Sequence, residues 1–394
     1  MKTFHTRTLL GGVCLFALSC LAQAQNAPAT DAGAAPAGQT PAPAPAPAAA
    51  PAAPTWSVGP IDFSGLVDGY YSFDFNHPAG GNQLYNFDVQ ANQFSLNMVK
   101  LSMSHTADPV GFQVDLGFGR AFDIIHASEP AGPSFLRNIE QAYVTWKPLK
   151  SNGLQLDFGQ FVTSAGAEVI ESNANWNYSR SLLFAWAIPY YHFGLRVTEP
   201  VGKYFTGGIQ LVNGWNNTED NNSGKTIGLI ANFAGKKVAW NNNYYTGPEN
   251  AGTNKGFRNL YDTTLLFTPA DKFNAYVNFD YGQNRSFDVN NVGLTQKWYG
   301  IAAAAKFQFT GKIALTPRVE WFNDHNGFST GTAQTLKEFT VTYEYRWVEG
   351  LLSRLEYRHD WSNVDFFERG STPNATKNQD TLTFAMIAFF GPKR

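Results

Sequence analysis

From residue 56 onward, apolar and polar side chains alternate along most of the chain. Between Ile61 and Phe75 the odd positions are Ile61, Phe63, Gly65, Val67, Gly69, Tyr71, Phe73 and Phe75, whereas Asp62, Ser64, Asp68, Ser72 and Asp74 occupy even ones. Successive side chains of a strand point to opposite faces, so this period of two predicts a strand with one apolar and one polar face. A helix would repeat every 3.6 residues. The pattern returns in Phe112–Phe118, Leu154–Phe158, Phe273–Phe279, Phe339–Tyr345 and Leu382–Phe390. Between Phe94 and Ser104 the phase slips near Met98, as an inserted bulge residue would make it do.

Segmented this way, the chain predicts strands at 61–75, 93–104, 111–119, 139–147, 153–161, 190–198, 204–213, 226–233, 237–245, 259–268, 272–281, 298–309, 312–322, 338–346, 351–360 and 381–390. Their connections sort by length. Short ones at 105–110, 148–152, 199–203, 234–236, 269–271, 310–311 and 347–350 carry turn residues such as Asp108-Pro109, Asn152-Gly153 and Thr310-Gly311. Long ones lie between them, at 76–92, 120–138, 162–189, 214–225, 246–258, 282–297, 323–337 and 361–380. Strands of about ten alternating residues, with tight turns at one end and long loops at the other, mark a transmembrane β-barrel. The expected fold is therefore all-β: a closed antiparallel transmembrane barrel of about sixteen strands, with lipid bilayer against its apolar face. Closure is obligatory in lipid, which offers an open strand edge no hydrogen-bond partner. The aromatic pairs Tyr70-Tyr71, Tyr190-Tyr191, Tyr244-Tyr245 and Trp298-Tyr299 fall at strand ends, where interfacial girdles are expected.

The first 55 residues follow another rule. Lys2 and Arg7 precede a short apolar run, Leu9–Leu21, and Ala22-Gln23-Ala24 ends it. This predicts an export signal cleaved after Ala24, too short to span a bilayer as a helix. Cys20 leaves a lipidated alternative, although Ala17-Leu18-Ser19 lacks the usual upstream leucine. Residues 25–55 are dominated by Ala and Pro, a composition that cannot bury a core and reads as a disordered periplasmic linker ahead of a 56–394 barrel. Both cysteines, Cys14 and Cys20, lie in the signal, so the expected mature chain has no disulfide and no thiolate site. A net charge of −2 gives no reason to expect nucleic acid as a partner.

Several strings resemble the OmpL-like outer-membrane β-barrel porins: Asn138-Ile-Glu-Gln-Ala-Tyr-Val-Thr-Trp146, Asp157-Phe-Gly-Gln-Phe-Val-Thr163, Gly166-Ala-Glu168, Asn177-Tyr-Ser-Arg180, Ile188-Pro-Tyr-Tyr-His-Phe-Gly194 and Asn213-Gly-Trp-Asn216. The resemblance spans roughly 56–390 and is densest between 138 and 216. It implies the barrel, an outer-membrane location in a Gram-negative-type cell and a pore role, with no catalytic residue to carry over. The chain departs from the usual aromatic C-terminus, since Gly391-Pro-Lys-Arg394 follows Phe390.

If the polar face lines a lumen, its candidate liners are Asp68, Asp115, Asp157, His192, Arg196, Asp280, Lys306, Glu344, Arg346 and Glu356. Alternating charges such as Arg318-x-Glu320 and Arg354-x-Glu356-x-Arg358 predict ion-paired ladders, which set ion preference in some pores. The plainer reading is a wall kept wet and rigid. The longest loop, 162–189, is the candidate constriction. Its Glu168, Glu171 and Arg180 would face Arg318, Glu320, Arg354 and Arg358 across the lumen; an ordinary surface loop is the alternative. No cofactor, metal or catalytic set is expected: the mature histidines (His77, His105, His126, His192, His325, His359) accompany no Gly-x-Ser-x-Gly elbow and no metal-ligand spacing. The expected function is passive diffusion of small hydrophilic solutes or ions through a porin, with a homo-oligomer compatible. Rival readings are an adhesive barrel tethered by the Ala/Pro segment and, less favoured, a barrel hydrolase using His192.

Overall fold

The computed structural model describes residues 56–129, 135–288 and 290–392. The expected signal and Ala/Pro segment lie outside the described residues. Sixteen strands form the wall: β1 Ile61–Asp74, β2 Gln93–His105, β3 Val110–Phe118, β4 Ile139–Trp146, β5 Gln155–Val162, β6 Tyr191–Val201, β7 Phe205–Val212, β8 Thr226–Ala234, β9 Val238–Gly247, β10 Arg258–Ala270, β11 Phe273–Phe287, β12 Gly293–Gln308, β13 Ile313–Asp324, β14 Gln334–Val348, β15 Leu351–Ser362 and β16 Asn378–Phe390. Each pairs antiparallel with its predecessor. The last pairs with the first, from Thr381↔Asp74 to Phe390↔Gly65. That closing pair leaves the ring without a free edge. A two-residue strand, Ser57–Val58, folds back on the start of β1.

The side-chain phase follows the sequence pattern. In β1, Leu66, Asp68, Tyr70, Ser72 and Asp74 point inward and are buried, while Val67 is exposed outside. The slip near Met98 is a bulge: Asp68 pairs with Met98 but Gly69 pairs with Leu96, leaving Asn97 unmatched. A second bulge in β4 leaves Glu140 unmatched, because Asp115 pairs with Gln141 and Leu116 with Ile139. Both Asn97 and Glu140 are buried inside the ring.

Two expectations change. The long-loop ends of β11, β12 and β14 run further than the alternation shows, and the expected loop 282–297 shrinks to 288–292. The added residues are polar on both faces, such as Gln283, Asn284, Arg285 and Ser286, so no lipid-facing pattern marks them. Their backbones still pair in full, with Arg285↔Thr295 and Phe287↔Gly293. This loop is shorter than the 147–154 turn, so the sorting by length fails at that point. Three of the expected girdle pairs are also split, because neighbours on a strand face opposite ways, and the fourth lies wholly inside, since Tyr190 precedes its strand and packs on Phe87 and Phe184. Tyr71, Tyr244 and Tyr299 face out, while Tyr70, Tyr191, Tyr245 and Trp298 are buried inside. The outer girdle instead runs across strands. Tyr244, Tyr261, Tyr281 and Tyr299 are successive register partners at the long-loop side, and Phe205, Phe233 and Trp240 are partners nearer the turns. On β12, Tyr299 and Phe307 are eight residues apart, about 26 Å at ~3.3 Å per residue. With strand tilt this suits an apolar band of about 25 Å.

Candidate functional site

The interior is where sequence and structure differ most. An irregular segment packed inside a barrel must find partners for those of its own peptide groups that it buries. The third loop, 163–190, folds into the ring and obtains those partners from the charged wall. Arg354 on β15 donates to the carbonyls of Ser172 (2.6 Å), Asn175 (2.5 Å) and Asn177 (3.0 Å). Arg318 on β13 donates to Ser179 O at 2.8 Å, and Arg358 on β15 to Arg180 O at 2.9 Å. Wall carboxylates take the loop's amides. Glu356 accepts from Tyr178 N (2.6 Å) and Ser179 N (2.9 Å), and Glu320 accepts from Leu182 N (3.0 Å) and Leu183 N (3.3 Å).

Those last two amides open a short helix, α1 (Leu182–Trp186), whose N-cap Ser181 accepts from Phe184 N at 3.0 Å. Helix N-termini leave amides unpaired and favour a negative partner, so Glu320 completes the cap from across the loop–wall contact. The apolar side of the loop (Ile170, Tyr178, Leu182, Leu183, Phe184, Ile188) packs with Leu84 and Phe87 of the first loop and with Trp298 and Phe322 of the wall. Each buried side chain of this size contributes roughly 1.5–3 kcal/mol, so the loop is held by packing as well as by polar bonds.

The expected constriction residues thus come together, but in a different relation. Glu168 lies 2.8 Å from Arg318, which is also within 3.3 Å of Glu320 and Glu338. The arginines do not face the loop across an open lumen, as expected; they are in contact with it and buried by it. Arg180 is turned into its own loop, donating to Val169, Ile170 and Tyr178 carbonyls, and its guanidinium lies 5.1 Å over the Phe87 ring. Glu171 reaches further along the ring and pairs with Lys100 of β2, three strands from β15. Lys100 also meets Asp115 (3.1 Å) and Glu140 (2.9 Å). The oxygens of Asp115, Glu140 and Glu171 lie within 4.8 Å of one another, with the Lys100 ammonium among them. The chain's own cation sits where those carboxylates converge.

All ten expected lumen liners sit on inward faces, yet they differ in access to water. Asp68, His192, Asp280, Glu344 and Glu356 are buried, as are Asp115 and Asp157. His192 donates through Nδ1–H to Gly214 O (2.9 Å) and stacks on Tyr245 with centroids 4.9 Å apart. Three cations keep partial access on the turn side of the loop: the side chains of Arg196, Lys306 and Arg346 are 18%, 12% and 43% exposed. Arg196 pairs with Asp157 at 2.9 Å, and Glu344 binds Arg354, Arg346 and Lys306.

Several partners were not legible. Lys100 breaks no pattern on its strand, and Glu338, between Lys337 and Phe339, reads like any inward residue. For Glu140 the adjacent polar pair Glu140-Gln141 was an available sign of a bulge. The first and second loops also fold over the mouth. Burial, reinforced by repulsion from Glu356, pushes the Asp88 carboxyl of the first loop up to about 7. Burial lowers the His126 imidazole of the second loop to about 4, against the pull of nearby Glu129.

A family model described as "Putative beta-barrel porin-2, OmpL-like" matches residues 60–390. The chain belongs to this porin family. None of the curated proteins compared matches it. Among solved structures it is similar to the trimer form of OmpT of Vibrio cholerae, at 13% identity and TM-score 0.54, covering 84% of this chain and 99% of that one. It is also similar to an anion-selective porin from Comamonas acidovorans (9% identity, TM-score 0.55, 84% and 99% covered). A third is Salmonella typhi OmpF in complex with daunomycin (13%, TM-score 0.56, 84% and 97%). These likenesses carry the fold, and the family places the barrel in the outer membrane as a porin.

Proposed function

We propose that this porin passes small hydrophilic solutes or ions by passive diffusion, without a chemical step, and that its third loop sets the size limit. The observation that carries the reading is a closed ring with polar inward faces, crossed by a loop whose peptide groups are held by Arg318, Arg354 and Arg358. On the turn side of that loop the wetted groups are Arg196, Lys306 and Arg346. Export in a Gram-negative-type cell, with a signal cleaved after Ala24, and assembly as a homo-oligomer belong to the same proposal. The OmpT relative forms a trimer. A hydrolase reading gains nothing from His192, which is buried against Tyr245 and Gly214. The test is swelling of liposomes holding the folded barrel, with neutral sugars of increasing size. Swelling rates should fall steeply with solute size. Rates equal to protein-free liposomes for every solute would reject the proposal.

A further inference from the structure

The outward face of the strands carries its lysines and arginines on one arc. Among the described strand residues, every Lys or Arg of β1–β10 points inward: Lys100, Arg196 and Arg258. Arg285 of β11, Lys297 of β12 and Lys337 of β14 are the outward-facing ones, and all three are exposed at the long-loop end. Their neighbours are aromatic. Lys337 is the register partner of Trp321 on one side and Trp361 on the other. Lys297 is two residues above Tyr299, whose ring lies 5.6 Å from Trp321. Arg285 lies over the Phe287 ring at 5.5 Å. Beside Trp361, with ring centroids 4.0 Å apart, stands His359; its Nδ1 is 2.5 Å from Asp380 Oδ1, which leaves Nε2 as its remaining polar atom. Asp380 also accepts from Tyr357 OH at 2.6 Å and is the one outward carboxylate on these strands.

Tryptophan and tyrosine mark the headgroup level of a membrane protein, and lysine and arginine extend their charge to it along an apolar stem. A cation flanked by two such rings is therefore placed at the depth of lipid phosphates. At about 4.8 Å between strands, β11 to β15 makes an arc of about 19 Å. We infer that this arc docks a phosphate-bearing anionic lipid headgroup of the leaflet on the long-loop side, with Arg285, Lys297, Lys337 and His359 as the contacts. Opposite charge within the short screening distance supplies the attraction, and the neighbouring rings cover the acyl attachment.

The test uses the folded full barrel in detergent, with a bisphosphorylated glycolipid as probe and native mass spectrometry as readout. The comparison protein is the quadruple variant Arg285→Gln, Lys297→Gln, Lys337→Gln and His359→Gln. Lys236→Gln with Lys237→Gln, at the turn end, is the control. Heat-modifiable gel mobility shows that each barrel is folded. The wild type and the turn control should retain the phosphorylated lipid, and the quadruple variant should lose it at least tenfold. The dephosphorylated glycolipid should be retained poorly by all three. Equal retention by the wild type and the folded quadruple variant would overturn the inference, as would equal retention of the dephosphorylated lipid. A parallel loss in the turn control would overturn it too, by moving the contact to the other rim.

Discussion

Replacing Arg354 by alanine isolates what the charged wall does for the inward loop. The guanidinium is 1% exposed and donates to three carbonyls of the third loop, at Ser172, Asn175 and Asn177, and to Glu344. Removing one partner of a buried ionic cluster costs about 3–5 kcal/mol when the rest is left unpaired. Here Glu344 retains Arg346 at 3.1 Å and Lys306 at 3.6 Å, so the orphaned groups are the three carbonyls. The lower end, about 3 kcal/mol, is the appropriate figure. Since about 1.4 kcal/mol is a factor of ten, the released fraction of the loop should rise roughly a hundredfold. The ring itself closes through β16 and β1 and does not depend on this side chain. Single-channel recording should therefore show a folded barrel with larger unitary current and more open-channel noise. Arg354→Lys should fall between the two, because an ammonium on a shorter stem cannot serve three carbonyls at once. Wild-type current and noise in Arg354→Ala, with the barrel folded, would show that the loop is held by other means.

Lys100→Met should release the loop at Glu171, leaving Asp115, Glu140 and Glu171 facing one another without their shared ammonium; the current noise should grow and depend on divalent cations, as planar-bilayer recording with and without chelator would show. His126 is held neutral when buried, so its contribution to the second loop is full above about pH 6.5 and declines as pH falls toward about 4, by up to roughly 3 kcal/mol at 1.36 kcal/mol per pH unit; limited proteolysis of that loop should quicken over this window and stop quickening in His126→Phe. Asp88 acts in the opposite sense: its raised value means the first loop loses support as pH rises from about 4 to about 7, and Asp88→Asn should flatten that dependence in the same assay. Val277→Arg, on the outward face in mid-band, should cost about 2–4 kcal/mol of barrel stability, whereas Ser102→Arg on the inward face should cost far less; urea unfolding in lipid vesicles compares the two.

The wall was legible because two constraints act on it residue by residue. Lipid on one side and water or polar groups on the other impose the period of two, and Ile61–Phe75 shows both at once. Where only the backbone is constrained, as in Gln283–Ser286, the pairing continues but the side chains carry no trace of it. Inward residues were identifiable by phase, which put Asp68, Arg318 and Glu356 on the correct face. Their partners were not, because phase says which way a side chain points and nothing about what folds in to meet it. The loop sequence 162–189 offered a hint in Ala185–Pro189, an apolar stretch with no strand period, consistent with packing inside. The arginine ladder read as ion pairs that set ion preference or, more plainly, keep a wall wet and rigid. In the structure Arg318 and Arg354 spend most of their hydrogen bonds on the loop, while Arg196, Lys306 and Arg346 on its turn side remain partly wetted. Tyr70-Tyr71 makes the same point at small scale: adjacent aromatics on a strand serve opposite sides.

Stepwise current through a planar bilayer holding the folded wild-type barrel tests the central claim most directly. Discrete, voltage-independent steps at low potential, scaling with salt concentration, are expected. Folded barrels that insert yet give no current above the bare bilayer, in both the wild type and Arg354→Ala, would contradict it.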